Sequence, residues 1–417
     1  MHRIHGGLAV VVPVQRGKSQ KLRKVLRNIN GMETVTASPF KVSSTTLFVT
    51  GVIVPEQDYH GKPLPETFVF ATTYCGPRNK HFEDLLATNK DNLWSMFQYC
   101  KGFPNKQHVD DETLLAYLKK YNRLGNFSSR YNFLGKKDVE REKDLRYQIE
   151  QYIDKAQALH AFDKLSSMQI QTLIQRYIRA MGPDYDWALK ADRKNIWELL
   201  YLARAYAALL LTVGGVLLFL LFLVPLSWYI GRIKTPAADR PPDRRVRMLA
   251  ATQLNPTLNG MVAAAPLKPG MLRRWFYAVS LRVSGSFAAV FSKVPTVSSI
   301  RWLTIDKKRR LFFLSNYSNT TDFYVRDFIN GNTARGVNFM FTHGMGFPDA
   351  NPFFGGGIKV DPEGYMNAVH AGQHVVDLWY AHDKSMVVDI ILKNRKIRNG
   401  LPKKMTEQKA VEWLRLL

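Results

Sequence analysis

The residue pattern in this chain that most resembles a known chemical site is a pair of histidines four residues apart, His370 and His374. At that spacing both side chains lie on one face of a helix, if the segment from Glu363 is helical throughout. Such a pair can share a metal ion, but the glutamate that follows the first histidine in zinc proteases is replaced here by Ala371. Hydrogen-bonded structural histidines are the commoner explanation, so we expect no metal site.

Other residue patterns with possible chemistry also have simpler explanations. The glycine run at 355–357 lacks the Lys-Ser/Thr of a phosphate-binding loop, and a glycine turn that leads into a strand is the commoner explanation. The two cysteines, Cys75 and Cys100, do not form a CxxC pair, which excludes a thiolate metal site. No Gly-x-Ser-x-Gly motif is present. The sequence therefore predicts no particular reaction.

The chain is strongly basic. It has 59 Lys and Arg against 34 Asp and Glu, which gives a formal net charge of +25. Such an excess favours an anionic partner, either nucleic acid or an acidic lipid surface. Because the chain has no nucleic-acid motif and its basic residues flank apolar stretches, we expect a lipid bilayer, with anionic lipid, and no nucleic acid.

The segment 205–230 contains no charged residue over 26 positions. As a helix it would be about 39 Å long, which exceeds the ~30 Å hydrocarbon core of a bilayer. Tyr206 stands near one end, and Trp228 and Tyr229 near the other, where aromatic residues meet a membrane interface. The segment is predicted to be a transmembrane helix, with a buried core helix as the alternative. Positive charge on both sides leaves the orientation open.

A second apolar stretch, 271–292, carries Arg282 in its middle and Arg273 and Arg274 near its start. A charge at the centre of a bilayer costs at least ~2.5 kcal/mol. An amphipathic helix that lies in the membrane interface avoids this cost and brings the arginines to lipid phosphates. We therefore expect an interfacial helix, with a second crossing or a helix packed on the protein as alternatives.

The two halves of the chain repeat one series of patterns. A strand pattern at 68–74 leads into an amphipathic helix and then Gly102-Phe103-Pro104, and a strand pattern at 311–317 leads likewise to Gly346-Phe347-Pro348. Further strand and helix patterns flank each series. The resulting order, β-α-β-β-α-β, is that of a ferredoxin-like unit.

The predicted fold class is α+β, with two ferredoxin-like units that could form an intrachain dimeric α/β barrel, plus a transmembrane helix. Such a barrel needs both units on one side of the membrane, whereas a single crossing would separate them; we expect both on the cytoplasmic face. The predicted segments are unit 1 (1–135), a helical connector (136–204), the transmembrane helix (205–230), a Pro/Arg-rich linker (231–270), the amphipathic interfacial helix (271–292), unit 2 (293–400) and a C-terminal helix (401–417).

The segment 311–329, LFFLSNYSNTTDFYVRDFI, together with Gly346-Phe347-Pro348, resembles a group of mostly uncharacterised bacterial proteins. Members of that group have two ferredoxin-like domains distantly similar to dye-decolourising peroxidases. The resemblance implies a haem with a histidine ligand, for which His370 and His374 are the candidates. The chain lacks the Gly-x-x-Asp-Gly motif that carries the distal aspartate in those peroxidases.

These observations predict a membrane-anchored accessory or binding protein whose paired units bind anionic lipid, a protein partner or a second copy of the chain. The alternative, from the resemblance, is a haem-binding peroxidase-like oxidoreductase. A lipid-modifying enzyme that works from the membrane interface is a third hypothesis.

Overall fold

The computed structural model shows an α+β chain with antiparallel sheets. The structure describes all residues except 1–2, 36–37, 105–109, 254–256, 292–295, 331–339 and 352–354, and it does not describe the side chains of 32–35, 212–213, 216–223, 282–291, 328 and 330. The α+β class is as predicted, whereas the transmembrane part of the predicted fold is corrected below.

The strands are β1 (His5–Pro13), β2 (Thr46–Val54), β3 (Gln57–Tyr59), β4 (Lys62–Leu64), β5 (Thr67–Cys75), β6 (Asn126–Ser129), β7 (Leu258–Pro266), β8 (Val297–Ile305), β9 (Arg310–Ser318), β10 (Ala350–Asn351), β11 (Gly355–Gly356), β12 (Gln373–His374) and β13 (Leu378–Ala381). The helices are α1 (Ser19–Val35), α2 (Arg78–Phe97), α3 (Asp111–Tyr121), α4 (Lys136–Ala158), α5 (Ser167–Ala180), α6 (Ile196–Arg232), α7 (Asp243–Ala251), α8 (Met271–Phe291), α9 (Thr321–Asn330), α10 (Pro362–Gly372), α11 (Val388–Gly400) and α12 (Glu407–Leu414).

The first sheet has the order β1-β5-β2-β13, and every residue of β2 and β5 is buried. Alternate side chains of a strand point to opposite faces of its sheet. Phe68 and Phe70 of β5 accordingly pack in the core under α1, α2 and α3, while Val69 and Ala71 face the other way. Strands covered on both faces are apolar at nearly every position, as these are.

The second sheet has the order β12-β7-β9-β8-β6. One face packs against α8, α9 and α10, with Phe313 of β9 among the buried residues of that core. The opposite face packs against the first sheet, where Leu303, Phe312 and Leu314 meet Val52 and other small and β-branched residues. This inter-sheet core joins the two halves of the chain.

Each sheet takes an edge strand from the other half of the chain. β6 lies in the first half but pairs with β8, and β13 lies in the second half but pairs with β2. The buried carboxylate of Asp377, next to β13, forms ion pairs with Arg23 at 2.7 Å and Arg27 at 3.3 Å on α1. These ion pairs attach the exchanged strand to the helix layer of the first sheet.

The helices α4, α5, α11 and α12 form a separate layer. Leu145 and Ile149 of α4 pack with Ile174 and Ile178 of α5 and with Trp413 of α12. The predicted helical connector and the predicted C-terminal helix therefore share one apolar cluster.

The predicted transmembrane helix at 205–230 is not supported. The segment lies within α6, but among the residues that the structure describes no helix is both long and apolar enough to cross a membrane. The strands β6 and β8, which lie before and after this segment in the sequence, are hydrogen-bonded in one sheet. Both described ends of α6 contact the protein: Glu198 is paired with Arg3 at 2.8 Å, and Ile230 packs on Phe276.

The segment 231–270, predicted as a linker, contains α7 and β7. β7 pairs with β9 along its whole length, with Ala263 opposite Phe313. The first strand of the second half is therefore β7, which lies outside the predicted bounds of unit 2, 293–400.

Two buried histidines should make the protein sensitive to acid. Burial lowers the pKa of His5 to about 4 and that of His81 to about 3. Because both values lie below the ~6.5 of an unfolded chain, the stability due to the neutral rings is present above pH 6.5 and is lost as the pH falls towards 4. We expect the free energy of unfolding, measured with urea, to fall by up to about 1.4 kcal/mol per pH unit for each ring.

The variant His81→Gln should show a shallower pH dependence between pH 6.5 and 4. His160→Gln is the matched control, since the His160 side chain is 82% exposed. Equal pH slopes in the wild type and His81→Gln would contradict the prediction.

Candidate functional site

A cleft lies where two hairpin turns from the two halves of the chain face each other. One is the β3–β4 hairpin of the first half, and the other is the β8–β9 turn at 306–309 of the second half. The cleft has a volume of about 540 Å³. Its apolar lining includes Val11, Leu64 and Pro65 from the first half and Ile305 from the second. We call it the basic cleft, after the charged residues at its rim, Arg123, Lys307, Lys308 and Arg309.

Arg310 fixes the geometry of the basic cleft from beneath. Its side chain is fully buried, and its two terminal nitrogens donate hydrogen bonds to the carbonyl oxygens of Pro55 (2.9 Å) and Pro65 (2.8 Å). Its Nε lies 2.7 Å from Oδ2 of Asp306. Burial lowers the pKa of Arg310 and raises the pKa of Asp306. The opposite charge of each partner reduces the pKa shift of the other. One cation thus holds the turn of the second half to the hairpin of the first.

The turn that carries the rim lysines has an unusual backbone. Asp306, Lys307 and Lys308 have φ angles of 52°, 55° and 63°, in the left-handed region. That conformation costs roughly 1–2 kcal/mol for each residue with a side chain. Hydrogen bonds hold the turn: the N–H of Arg309 donates to the carbonyl of Ile305 at 3.2 Å, and its own carbonyl accepts from Leu267 at 2.8 Å.

The charges around the basic cleft are unbalanced. Four cations line it, and the one carboxylate among the described lining residues, Asp306, is engaged by Arg310. The Arg309 guanidinium lies 6.0 Å from the centre of the Tyr59 ring, at the distance of a cation–π contact. No histidine or cysteine is among the described residues that line the cleft. The arrangement is suited to binding an anionic group and offers no base or nucleophile of those two types.

The two histidines singled out in the sequence lie apart. His370 is in α10, which ends at Gly372, so His374 belongs to strand β12 and does not share a helix face with it. The Nε2 atom of His370 is 3.0 Å from Oδ1 of Asp322, and this contact lowers the pKa of Asp322. Burial lowers the pKa of His374 to about 3, so its ring is neutral at ordinary pH.

A haem does not fit these residues. The tip nitrogen of His370 is already engaged by Asp322, which leaves only Nδ1, the ring nitrogen nearest to the helix backbone. The adjoining cleft, of about 650 Å³, has a mixed lining in which three carboxylates and two arginines alternate with apolar side chains, so it offers no continuous apolar face for a porphyrin. His374 is not among the described residues that line that cleft.

The residues predicted to meet a membrane interface have mixed surroundings. The side chains of Tyr206, Trp228 and Tyr229 are about half exposed. Arg273 is 3% exposed and donates a hydrogen bond of 2.6 Å to the carbonyl of Ile230, so it binds α6 and does not face outward as predicted. Arg274, which was also predicted to meet the interface, is half-buried. The side chain of Arg282 is not among those that the structure describes.

Comparison of the chain with models of known protein families, with curated proteins and with solved structures finds no match. The resemblance to peroxidase-like bacterial proteins therefore remains a prediction. In the described part of the chain, no group of three or more His, Cys, Asp or Glu residues is placed to hold a metal ion, and Cys75 and Cys100 are free thiols.

Part of the basic cleft was visible in the sequence. The sequence has four consecutive cations at 307–310, of which the first three lie in the β8–β9 turn, while Arg310 begins β9. The apolar lining from the β3–β4 hairpin was missed. Its signal, Pro63 and Pro65 around Leu64, is typical of any exposed loop.

The left-handed turn predicts a stabilising substitution. Lys308→Gly should raise the free energy of unfolding by about 0.5–1 kcal/mol, because the strain that it removes exceeds the ~0.4–1 kcal/mol lost to a more flexible unfolded chain. Urea denaturation measures this difference. Lys404→Gly is the control, since Lys404 is exposed and its φ is not positive. A loss of stability in Lys308→Gly equal to that in Lys404→Gly would refute the argument.

Proposed function

We propose that the protein is a binding protein whose basic cleft takes an anionic amphiphile, a molecule with an acidic head group and an apolar chain, such as a fatty acid or an acidic lipid. The observation that carries this proposal is the combination of an apolar lining from both halves of the chain with four cations at the rim. A carboxylate or phosphate head group would meet Lys307, Lys308, Arg309 and Arg123, and the apolar chain would lie along Val11, Leu64 and Ile305.

Two physical terms support this assignment. Each methylene that leaves water for an apolar surface contributes about 0.8 kcal/mol, so a short alkyl chain supplies most of the affinity. The rim cations add electrostatic attraction that selects an acidic head group over a neutral one. The net charge of +25 also raises the local concentration of anions around the protein.

The proposal is for binding without catalysis. A lipid-modifying enzyme would need a base or nucleophile at the ligand, and the described lining supplies no histidine or cysteine. A haem peroxidase is not proposed, because His370 and His374 do not form a haem site. Binding to a protein partner, self-association and a cytoplasmic location remain predictions.

Isothermal titration calorimetry with three ten-carbon probes tests the proposal. Decanoate below its micelle concentration should bind, decanol should bind more weakly, and decyltrimethylammonium should bind least. The affinity for decanoate should fall as the salt concentration rises, because the rim cations are exposed to solvent. Equal affinity for decanoate and decyltrimethylammonium would refute an anion-selective cleft.

A pair of double variants locates the binding site. Lys307→Glu with Lys308→Glu should weaken decanoate binding about ten-fold or more, through the reversal of two rim charges. Lys403→Glu with Lys404→Glu makes the same change of net charge on exposed residues outside the cleft, and it should leave the affinity nearly unchanged. Equal losses in both double variants would show that general charge, and not the cleft, attracts the ligand.

A further inference from the structure

The helix α6 has an exposed side that runs along its described length. Exposed residues recur there at alternating intervals of four and three, at Ile196, Leu200, Ala203, Ala207, Leu210 and Gly214. Residues at these intervals lie on one side of an α-helix, which has 3.6 residues per turn. Pro225, about three turns beyond Gly214, is exposed on the same side, as are Trp228 and Tyr229. We call this side the apolar stripe; it also includes Leu199, Tyr206 and Leu211.

The residues of the apolar stripe are aliphatic or aromatic, apart from one glycine. The side chains of Leu210 and Leu211 are 72% and 78% exposed. A Cβ atom added at Gly214 would have no other atom within 4 Å. In the sequence, residues 216–223 of the same helix are apolar at every position. Because large contiguous apolar surfaces are rare on soluble monomers, the stripe indicates contact with another molecule.

The opposite side of α6 is attached to the protein. Near the start of the helix, Glu198 is fully buried and paired with Arg3 at 2.8 Å. Near its end, Ser227 and Ile230 are buried, and the hydroxyl of Ser227 donates to Oδ1 of Asn351 at 3.4 Å. Because α6 is held by this side at both described ends, the stripe can meet another surface along the length of the helix.

The helix α8 extends the exposed apolar surface at the end of α6. The contact between Arg273 of α8 and the carbonyl of Ile230 joins the first turns of α8 to the last turns of α6. Trp228 and Tyr229 directly precede Ile230 and are exposed. Three residues of the first turns of α8 are also half exposed or more: Met271, Leu272 and Trp275. Five exposed apolar side chains therefore come from the turns that meet at this contact.

The charges of α6 and α8 are suited to an anionic surface. The two helices contain one acidic residue, the buried Glu198. Arg204 beside the stripe and Arg232 at its end are both exposed. The guanidinium of Arg232 lies 3.3 Å from the centre of the Trp228 ring. Trp, Tyr and Arg residues next to an apolar surface are typical of the level of lipid head groups in a membrane.

A second copy of the chain is less suited to the apolar stripe. Each copy carries a net charge of +25, so two copies repel each other, whereas the same charge attracts an anionic surface. The stripe itself contains no carboxylate that could pair with Arg204 or Arg232 of a second copy. The charges therefore favour anionic lipid.

We propose that the apolar stripe, together with Met271, Leu272 and Trp275 of α8, docks on the surface of an anionic lipid bilayer, with α6 parallel to the membrane plane. The apolar side chains enter the boundary between head groups and acyl chains to a depth of about 5–10 Å. Arg204 and Arg232 then contact lipid phosphates. This surface shares no residue with the described lining of the basic cleft, and the inference does not depend on the function proposed for that cleft.

Co-sedimentation of the intact protein with vesicles tests the docking surface. Vesicles of equal parts phosphatidylcholine and phosphatidylglycerol should bind the protein about ten-fold or more tightly than vesicles of phosphatidylcholine alone. Added salt should reduce this difference, because it screens exposed charges. Failure to bind the mixed vesicles, or equal binding to both kinds of vesicle, would overturn the proposal.

Two double variants locate the docking surface. Leu210→Glu with Leu211→Glu places two carboxylates on the stripe and should weaken binding to the mixed vesicles about ten-fold or more. Leu159→Glu with Val360→Glu makes the same change of charge at two positions that are 78% exposed and lie outside α6 and α8, and it should bind nearly as the wild type does. Equal losses in both would show that the stripe is not the docking surface. All four positions are exposed, so both variants should keep the wild-type Tm.

The same variants separate this inference from the proposed function. Leu210→Glu with Leu211→Glu should bind decanoate with the wild-type affinity, because neither residue lines the basic cleft. Loss of vesicle binding with intact decanoate binding is therefore the expected result. Loss of both would place the stripe and the ligand in one site and overturn the separate docking surface.

Fluorescence and sedimentation velocity separate lipid from a second copy as the occupant. Lipids with brominated acyl chains should quench the tryptophan fluorescence of the bound protein, and Trp228→Phe with Trp275→Phe should reduce this quenching while vesicle binding persists. Unchanged quenching in that variant would contradict the proposed orientation. In the absence of lipid, a dimer that Leu210→Glu with Leu211→Glu dissociates would assign the stripe to a second copy and overturn the proposal.

Discussion

The exchange of edge strands between the two sheets is the constraint on which the rest of the structure depends. β6 completes the sheet of the second half and β13 completes that of the first, so neither half has a full sheet by itself. The inter-sheet core then buries one face of each sheet against the other. The basic cleft lies between the two halves, and it exists because the halves are held in one register.

Buried charges are arranged around this same boundary. Arg310 reaches from the second half to carbonyl groups of the first, and Asp377 attaches β13 to Arg23 and Arg27 of α1. Removing one partner of such a pair costs about 3–5 kcal/mol, whereas the intact pair contributes little net stability. The main effect of these contacts is therefore to determine which segments pair. Their contribution to the stability of the fold is small.

The sequence predicted the strands that are long and apolar. It did not predict the elements whose structure depends on contacts with residues distant in the sequence. β5 and β9 differ by one residue at each end from the strand patterns at 68–74 and 311–317. β7 was missed because its alanines and glycine have weak β propensity; Gly260 is required there, since an added Cβ would lie 2.4 Å from the Trp379 ring. The apolar run in α6 was interpreted as a membrane crossing because composition alone does not reveal that strands on either side of it pair. At the candidate site, four consecutive cations were visible, but the burial of Arg310 depends on Pro55 and Pro65, which are distant in the sequence.

The exchange of β13 also has a consequence for how the chain is made. Synthesis proceeds from the N-terminus, so β1, β2 and β5 emerge long before β13, which lies close to the C-terminus. Until then the outer edge of β2 has unpaired backbone groups on an apolar strand, a surface that promotes pairing with other chains. Contacts between residues so far apart in sequence also form slowly. The nascent chain therefore passes through a long interval in which its first sheet is open, and protection by a chaperone during translation would matter most in that interval.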